Sequence, residues 1–160
     1  MSSRQEELIG EIHTIAFEDR LGRVRTNLHL VVSEIQDISE ACAGGRTVSE
    51  STLTRIESAA AVFAGELRAV HDLLYRPQTA PEEDVLESIL AHVDGGLREF
   101  VQLIDCIPPE HRASPALRTN VRSIASLARD VCGECVPREY APHLKAWMDR
   151  IQGRARSLAA

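Results

Sequence analysis

Residues Leu21–Cys42, LGRVRTNLHLVVSEIQDISEAC, decide the fold. Leu21, Val24, Leu28, Val31, Ile35, Ile38 and Cys42 follow one another at spacings of 3, 4, 3, 4, 3 and 4. Those steps keep the apolar side chains on one narrow line of a helix, the a and d positions of a coiled coil. Such a line is buried only by partner helices lying nearly parallel to it. A matching strip follows in Leu53, Ile56, Ala60, Phe63, Leu67, Val70 and Leu74.

Working outward, five helical segments are expected. The first covers about residues 4–43, with early apolar positions Leu8, Ile12 and Ile15. Gly10 and Gly22 each weaken it by roughly 1 kcal/mol relative to alanine, so a bend or break is expected near residues 18–22. Gly44-Gly45 ends it, and Ser49 or Ser51 caps the second, which runs to about Tyr75 before Pro77 and Pro81. The third opens at Glu82-Glu83-Asp84, acids suited to a helix N-terminus. Its strip is Leu86, Leu90, Val93, Leu97, Phe100 and Ile104. Gly95-Gly96 within it marks a close helix crossing or a local kink. Ser114 and Pro115 start the fourth, which carries Leu117, Val121, Ile124, Ala128 and Val131; Gly133 and Pro137 end it. The fifth carries Leu144, Trp147, Ile151 and Leu158. No stretch alternates with the period of a strand. The expected class is all-α, an antiparallel bundle of about five helices with short connections. It forms one domain over residues 1–160: a hairpin at 4–76, a connecting helix at 82–105 and a second hairpin at 114–160.

Bulk properties narrow the function. A net charge of −6 lacks the basic footprint of a nucleic-acid binder, and 4% aromatics is sparse for base stacking. No apolar run approaches the ~20 residues of a membrane helix. The N-terminal residues have no signal-peptide core. A soluble, cytoplasmic protein is expected, with no nucleic-acid or membrane partner. Its cysteines, Cys42, Cys106, Cys132 and Cys135, are then reduced thiols rather than a disulfide framework. Lys145 is the only lysine; such arginine dominance accompanies GC-rich bacterial genomes.

Two stretches carry a family resemblance. Arg23-Val24-Arg25-Thr26-Asn27-Leu28 resembles a motif of His-Arg-x-Lys-Asn-x-Leu type, and Arg68-Ala69-Val70-His71-Asp72-Leu73-Leu74-Tyr75-Arg76 resembles the end of a second helix. Together, over about residues 18–90, they are similar to the dimerisation and histidine-phosphotransfer hairpin of bacterial sensor histidine kinases of the HWE group. Arg118-Thr119-Asn120-Val121 echoes the first motif more faintly. If the echo is a duplication, the two hairpins pack as one four-helix bundle with the third helix as crossover. The family's phosphoacceptor histidine stands just before the first motif's arginine. Here that position is Gly22, and Pro115 in the echo. Nothing after residue 90 resembles an ATP-binding domain. The resemblance therefore implies the fold and a docking surface, and argues against kinase chemistry.

The candidate residues follow. Arg23, Arg25, Asn27, His71 and Asp72 are the expected partner-binding set, since arginine suits bidentate recognition of carboxylate or phosphate. The partner implied is a response regulator or a histidine kinase, bound competitively, with a homodimer also open through the apolar seams. His71, His13 and His29 are alternative phosphoacceptors, if one is exposed to a receiver domain; His71 is otherwise a hydrogen-bonded structural residue. Cys132-Gly133-Glu134-Cys135 with His143, and Cys106 or His111 as a fourth ligand, is the alternative metal site, against two small apolar residues at a helix end. The paired Glu-x-x-His motifs of di-iron bundles, Walker loops and dinucleotide fingerprints are all absent. The expectation is a non-catalytic regulator without a cofactor.

Overall fold

The seam read from Leu21 to Cys42 lies on one uninterrupted helix, α1 (Ser3–Ala43). The structure, a computed structural model, describes residues 3–43, 48–77, 81–112 and 114–159. Four further long helices follow: α2 (Glu50–Leu74), α3 (Glu83–Cys106) and, after the single turn α4 (Pro109–Arg112), α5 (Pro115–Glu134) and α6 (Ala141–Ala159). No strand occurs among the described residues. The all-α reading and the helix count therefore hold. The break expected near residues 18–22 does not form. Gly10 and Gly22 cost α1 some propensity, but the flanking turns continue through them.

Helix ends follow local chemistry. Ser49 caps α2, its hydroxyl accepting from Thr52 N at 3.2 Å. Ser114 holds the same position before α5 but makes no side-chain cap bond. Its hydroxyl donates to Glu57 at 2.9 Å instead, tying α5 to α2. The Gly44-Gly45 stop expected for α1 lies outside the described residues.

Cross-helix pairs give the directions. Arg55 reaches back to Glu34, and earlier on α1 Arg20 and Arg23 share a cavity with Ala69 and Asp72 late on α2, so α1 and α2 are antiparallel. His29 meets His92, and Val32 meets Gly96, so α1 and α3 are parallel. Glu57–Ser114 and His71–Glu134 make α2 and α5 parallel. The chain thus runs up, down, up, down, up, and the long helices close a ring in the order α1, α2, α5, α6, α3.

Helix α3 is accordingly a full wall of the bundle rather than a crossover between two hairpins. Leu86, Ile89, Leu90, Val93, Leu97, Phe100 and Leu103 are all buried, and Phe100 meets Phe63 of α2 in the centre, ring centroids 6.5 Å apart. On its flank α3 is zipped to α6. Glu83 accepts from His143 Nδ1 at 2.7 Å, Glu87 from Trp147 Nε1 at 3.2 Å, and Asp94 from Arg154 Nε at 2.7 Å. Each pair has the same sequence separation of 60, the signature of two parallel helices in fixed register. Asp94 is nearly buried, and Arg154 supplies its compensating charge.

The N-terminal part of α1 stands clear of this body. Between residues 3 and 20 only Thr14 and Phe17 are partly covered. Leu8, Ile9, Ile12 and Ile15 are 49%, 41%, 63% and 66% exposed.

The Gly95-Gly96 pair is a close crossing, not a kink, and its two members differ. A Cβ on Gly96 meets Phe63 Cζ at 2.7 Å and Val32 Cγ2 at 3.0 Å, while one on Gly95 meets only Val32 Cγ1 at 4.0 Å. Phe63 is fully buried and has nowhere to retreat. Gly96→Ala is expected to destabilise by about 1–3 kcal/mol through overpacking. Gly95→Ala is expected to stabilise by roughly 0.5–1 kcal/mol through helix propensity alone. Arg154→Met, which strands the Asp94 carboxylate, should cost about 1–3 kcal/mol. Urea unfolding of the three variants checks all of this.

Candidate functional site

Arg23 and Arg25 are two residues apart on α1, hence roughly 200° apart around it. They cannot share a patch, and the set Arg23, Arg25, Asn27 is split accordingly. Arg23 faces α2, where it lines an open cavity of about 330 Å³ with Arg20, Val24, Ala69, Asp72 and Leu73. Its guanidinium pairs with Asp19 at 2.6 Å, both well exposed, a surface pair of little energetic weight. Arg25 faces α3, in a depression with Gly22, Thr26, His29 and His92.

Asn27 opens a further feature of the α1–α2 face. This is an apolar groove of about 440 Å³ lined by Leu30, Val31, Ala59 and Val62, with Glu34, Arg55, Ser58 and Glu66 along it. Leu30 is 61% exposed and Val62 50%. Partial burial raises the Glu66 carboxyl above its ordinary value, while a hydrogen bond with the Asn27 side chain pulls it down. Arg55 and Glu34 bridge the far end at 2.6 Å. Neither Leu30 nor Val62 belongs to an apolar seam. An apolar residue off the seam was the available sequence signal, and the motif-based reading passed over both.

His71 and Asp72 lie together, His71 Nδ1 3.7 Å from an Asp72 oxygen, but their further partners differ. Asp72 lies on the α1 side with Arg23. His71 turns to α5, where its Nε2 meets a Glu134 oxygen at 2.5 Å and its ring stacks on Tyr75. Its side chain is 19% exposed. A phosphoacceptor imidazole needs a free, accessible nitrogen, and this Nε2 is engaged. Glu134, a spacer inside the Cys-x-x-Cys stretch, was invisible as a partner because 63 residues separate the two. His13 and His29 are exposed on α1. His29 sits edge-on to His92 at 5.7 Å, and His92 Nδ1–H donates to the Ser88 carbonyl at 2.7 Å. Gly22, at the family's phosphoacceptor position, is exposed with open space around it.

The cysteine pair does not converge into a ligand set. Cys132 Sγ–H points to the Met148 carbonyl of α6, and Cys135 Sγ–H to the His71 carbonyl of α2. Burial, with nearby carboxylates, pushes both thiols from 9.0 up to about 12, so neither is a ready thiolate. His143 is committed to Glu83, Cys106 is exposed at the end of α3, and the His111 side chain lies outside the described residues. Among the described residues no cluster of three metal-type ligands forms. No helix among them is long and apolar enough to cross a membrane.

Comparison with protein-family models, with curated proteins and with solved structures finds no match for this chain.

The buried thiols set a measurable pH dependence. In the unfolded chain they ionise near 9.0, in the folded chain only near 12. Their contribution to stability is complete below the lower value and is lost as the pH rises towards the upper one. The double variant Cys132→Ala, Cys135→Ala should therefore lose stability less steeply across that window, as read by urea midpoints.

Proposed function

We propose that this chain is a non-catalytic docking protein of bacterial two-component signalling. Its α1–α2 hairpin would offer a response regulator, or a histidine kinase, the surface a kinase hairpin offers, and pass on no phosphoryl group. The observation that carries the reading is the open apolar groove around Leu30 and Val62. It lies on the helix pair whose sequence resembles the kinase hairpin, alongside the motif residues Arg23 and Asn27. Gly22, exposed where the family places its reactive histidine, has no side chain to phosphorylate. Of the five residues read as the docking set, Arg23, Asn27 and Asp72 fall on this face. Arg25 and His71 fall on others.

The mechanism is competition. An acidic receiver domain approaching the hairpin meets the guanidinium of Arg23 and buries Leu30 and Val62. While it is held there, its own kinase cannot reach it. A second reading, phosphotransfer through His13 or His29, draws on the exposure of both imidazoles.

The test is direct. Purified receiver domains are titrated with this protein, and phosphotransfer from their kinases is followed. Binding and slowed transfer are expected, with no label on this chain. Leu30→Glu combined with Val62→Glu should weaken binding by at least about tenfold. Acid-labile label on the chain, abolished by changing His13 or His29, would make it a phosphotransfer protein instead. Absence of binding to receivers and kinases alike sinks the docking reading.

A further inference from the structure

Two of the four cysteines are buried in the bundle and bonded to carbonyls. The other two, Cys42 and Cys106, share one end of it. Helices α1 and α3 are parallel in fixed register, with Val32 Cγ2 set 3.0 Å from where a Gly96 Cβ would stand. The offset in numbering between Val32 and Gly96 is the same as that between Cys42 and Cys106. Carried along both helices, the register sets the two cysteines at the same height on neighbouring parallel helices. Cys106 is the last residue of α3, and Cys42 lies in the last turn of α1. The missing side chain at Gly96 lets the helix axes approach closely, as a bridge between them requires. The surroundings of Cys42 agree: burial chiefly, then the Cys106 charge, raises its thiol, with Arg55 opposing. Cys106 is exposed and Cys42 half-buried, an asymmetry suited to one attacking and one resolving thiol.

We propose that Cys42 and Cys106 are a redox-responsive dithiol, closed by a hydroperoxide to a disulfide that ties the last turn of α1 to the last turn of α3. The Cys106 thiolate attacks the peroxide. The O–O bond breaks, the sulfur gains the hydroxyl as a sulfenic acid, and the other oxygen takes back from solvent the proton the thiol had lost and leaves as water or alcohol. Cys42 sulfur then attacks the sulfenic sulfur, the S–O bond breaks, and a second water leaves with the Cys42 proton. Two electrons pass from the thiols to the peroxide. The link closes a long loop of chain and so stabilises the folded state. Cys132 and Cys135 stay reduced, being buried and bonded elsewhere. This inference is independent of the docking reading.

The experiment uses the whole reduced chain treated with hydrogen peroxide. It is then unfolded, alkylated with a maleimide and mapped by mass spectrometry. The expected product is a single chain lighter by two hydrogens, with two alkylated thiols instead of four and one peptide pair joining Cys42 to Cys106. Its thermal midpoint should rise above that of the reduced chain and return on reduction. Cys42→Ser should stop at the sulfenic acid, trapped by dimedone at Cys106. Cys106→Ser should form no link. Both variants should keep the helical circular dichroism of the parent. Four alkylated thiols after peroxide, a link between Cys132 and Cys135, or links only between chains would each overturn the proposal.

Discussion

Helix α3 packs as closely as it does because residue 96 has no side chain. At that height α3 is pressed against Phe63 of α2 and Val32 of α1, close enough that one methyl group would collide with both. Two residues earlier, and roughly 200° around the helix, Asp94 is clamped by Arg154 of α6. One turn of α3 is thus gripped from both sides, by contact on one and by charge on the other. In the ring α1, α2, α5, α6, α3, among the described residues, α3 stands between α1 and α6. Packing at Gly96 therefore positions α1, and through α1 every surface discussed above.

Much of the fold was legible because burial repeats with the helix. The seam on α1 and the strips on the other helices are buried largely where the spacing put them, and Ser49 caps as its type suggests. The neighbour relations were not legible. An apolar strip reports which face is covered, not which helix covers it. The strip of α3 has the same form as the others, so a crossover and a wall read alike. Gly95-Gly96 was the one local sign of a close approach, and the same pair is equally consistent with a kink. The expected break in α1 failed for a different reason. The cost of two glycines is local, and in a helix of 41 residues it is outweighed by packing on the seam.

The site was less legible, and its errors are instructive. Arg23 and Arg25 were grouped because they are neighbours in a motif, although their two-residue spacing already sets them on different faces. His71 and Asp72 do lie together, with one ring nitrogen 3.7 Å from the Asp72 carboxylate and the other held by Glu134 of α5. Glu134, which takes the Nε2 of His71, and Arg154, which neutralises Asp94, belong to helices whose register against their partners no single-helix pattern contains. Leu30 and Val62 could have been found: each is apolar and off its seam, which is the mark of a face kept for something outside the core.

The outer line of α1 ties these observations together. Ile12 and Leu21 are two and a half turns apart, so they point to opposite sides at 3.6 residues per turn. The exposed stripe Leu8, Ile12, Ile15 therefore owes nothing to the core, whose seam is already buried within the chain by α2 and α3. Leu30 stands five whole turns beyond Ile12, on the same side of the helix. Stripe and groove form one outward face of about 33 Å along α1. A stable interface needs on the order of 1,200–2,000 Å² in total, more than four side chains on a projecting helix supply. On the docking function proposed above, the projecting helix and the groove would be two ends of one surface, with the bundle behind them as its support.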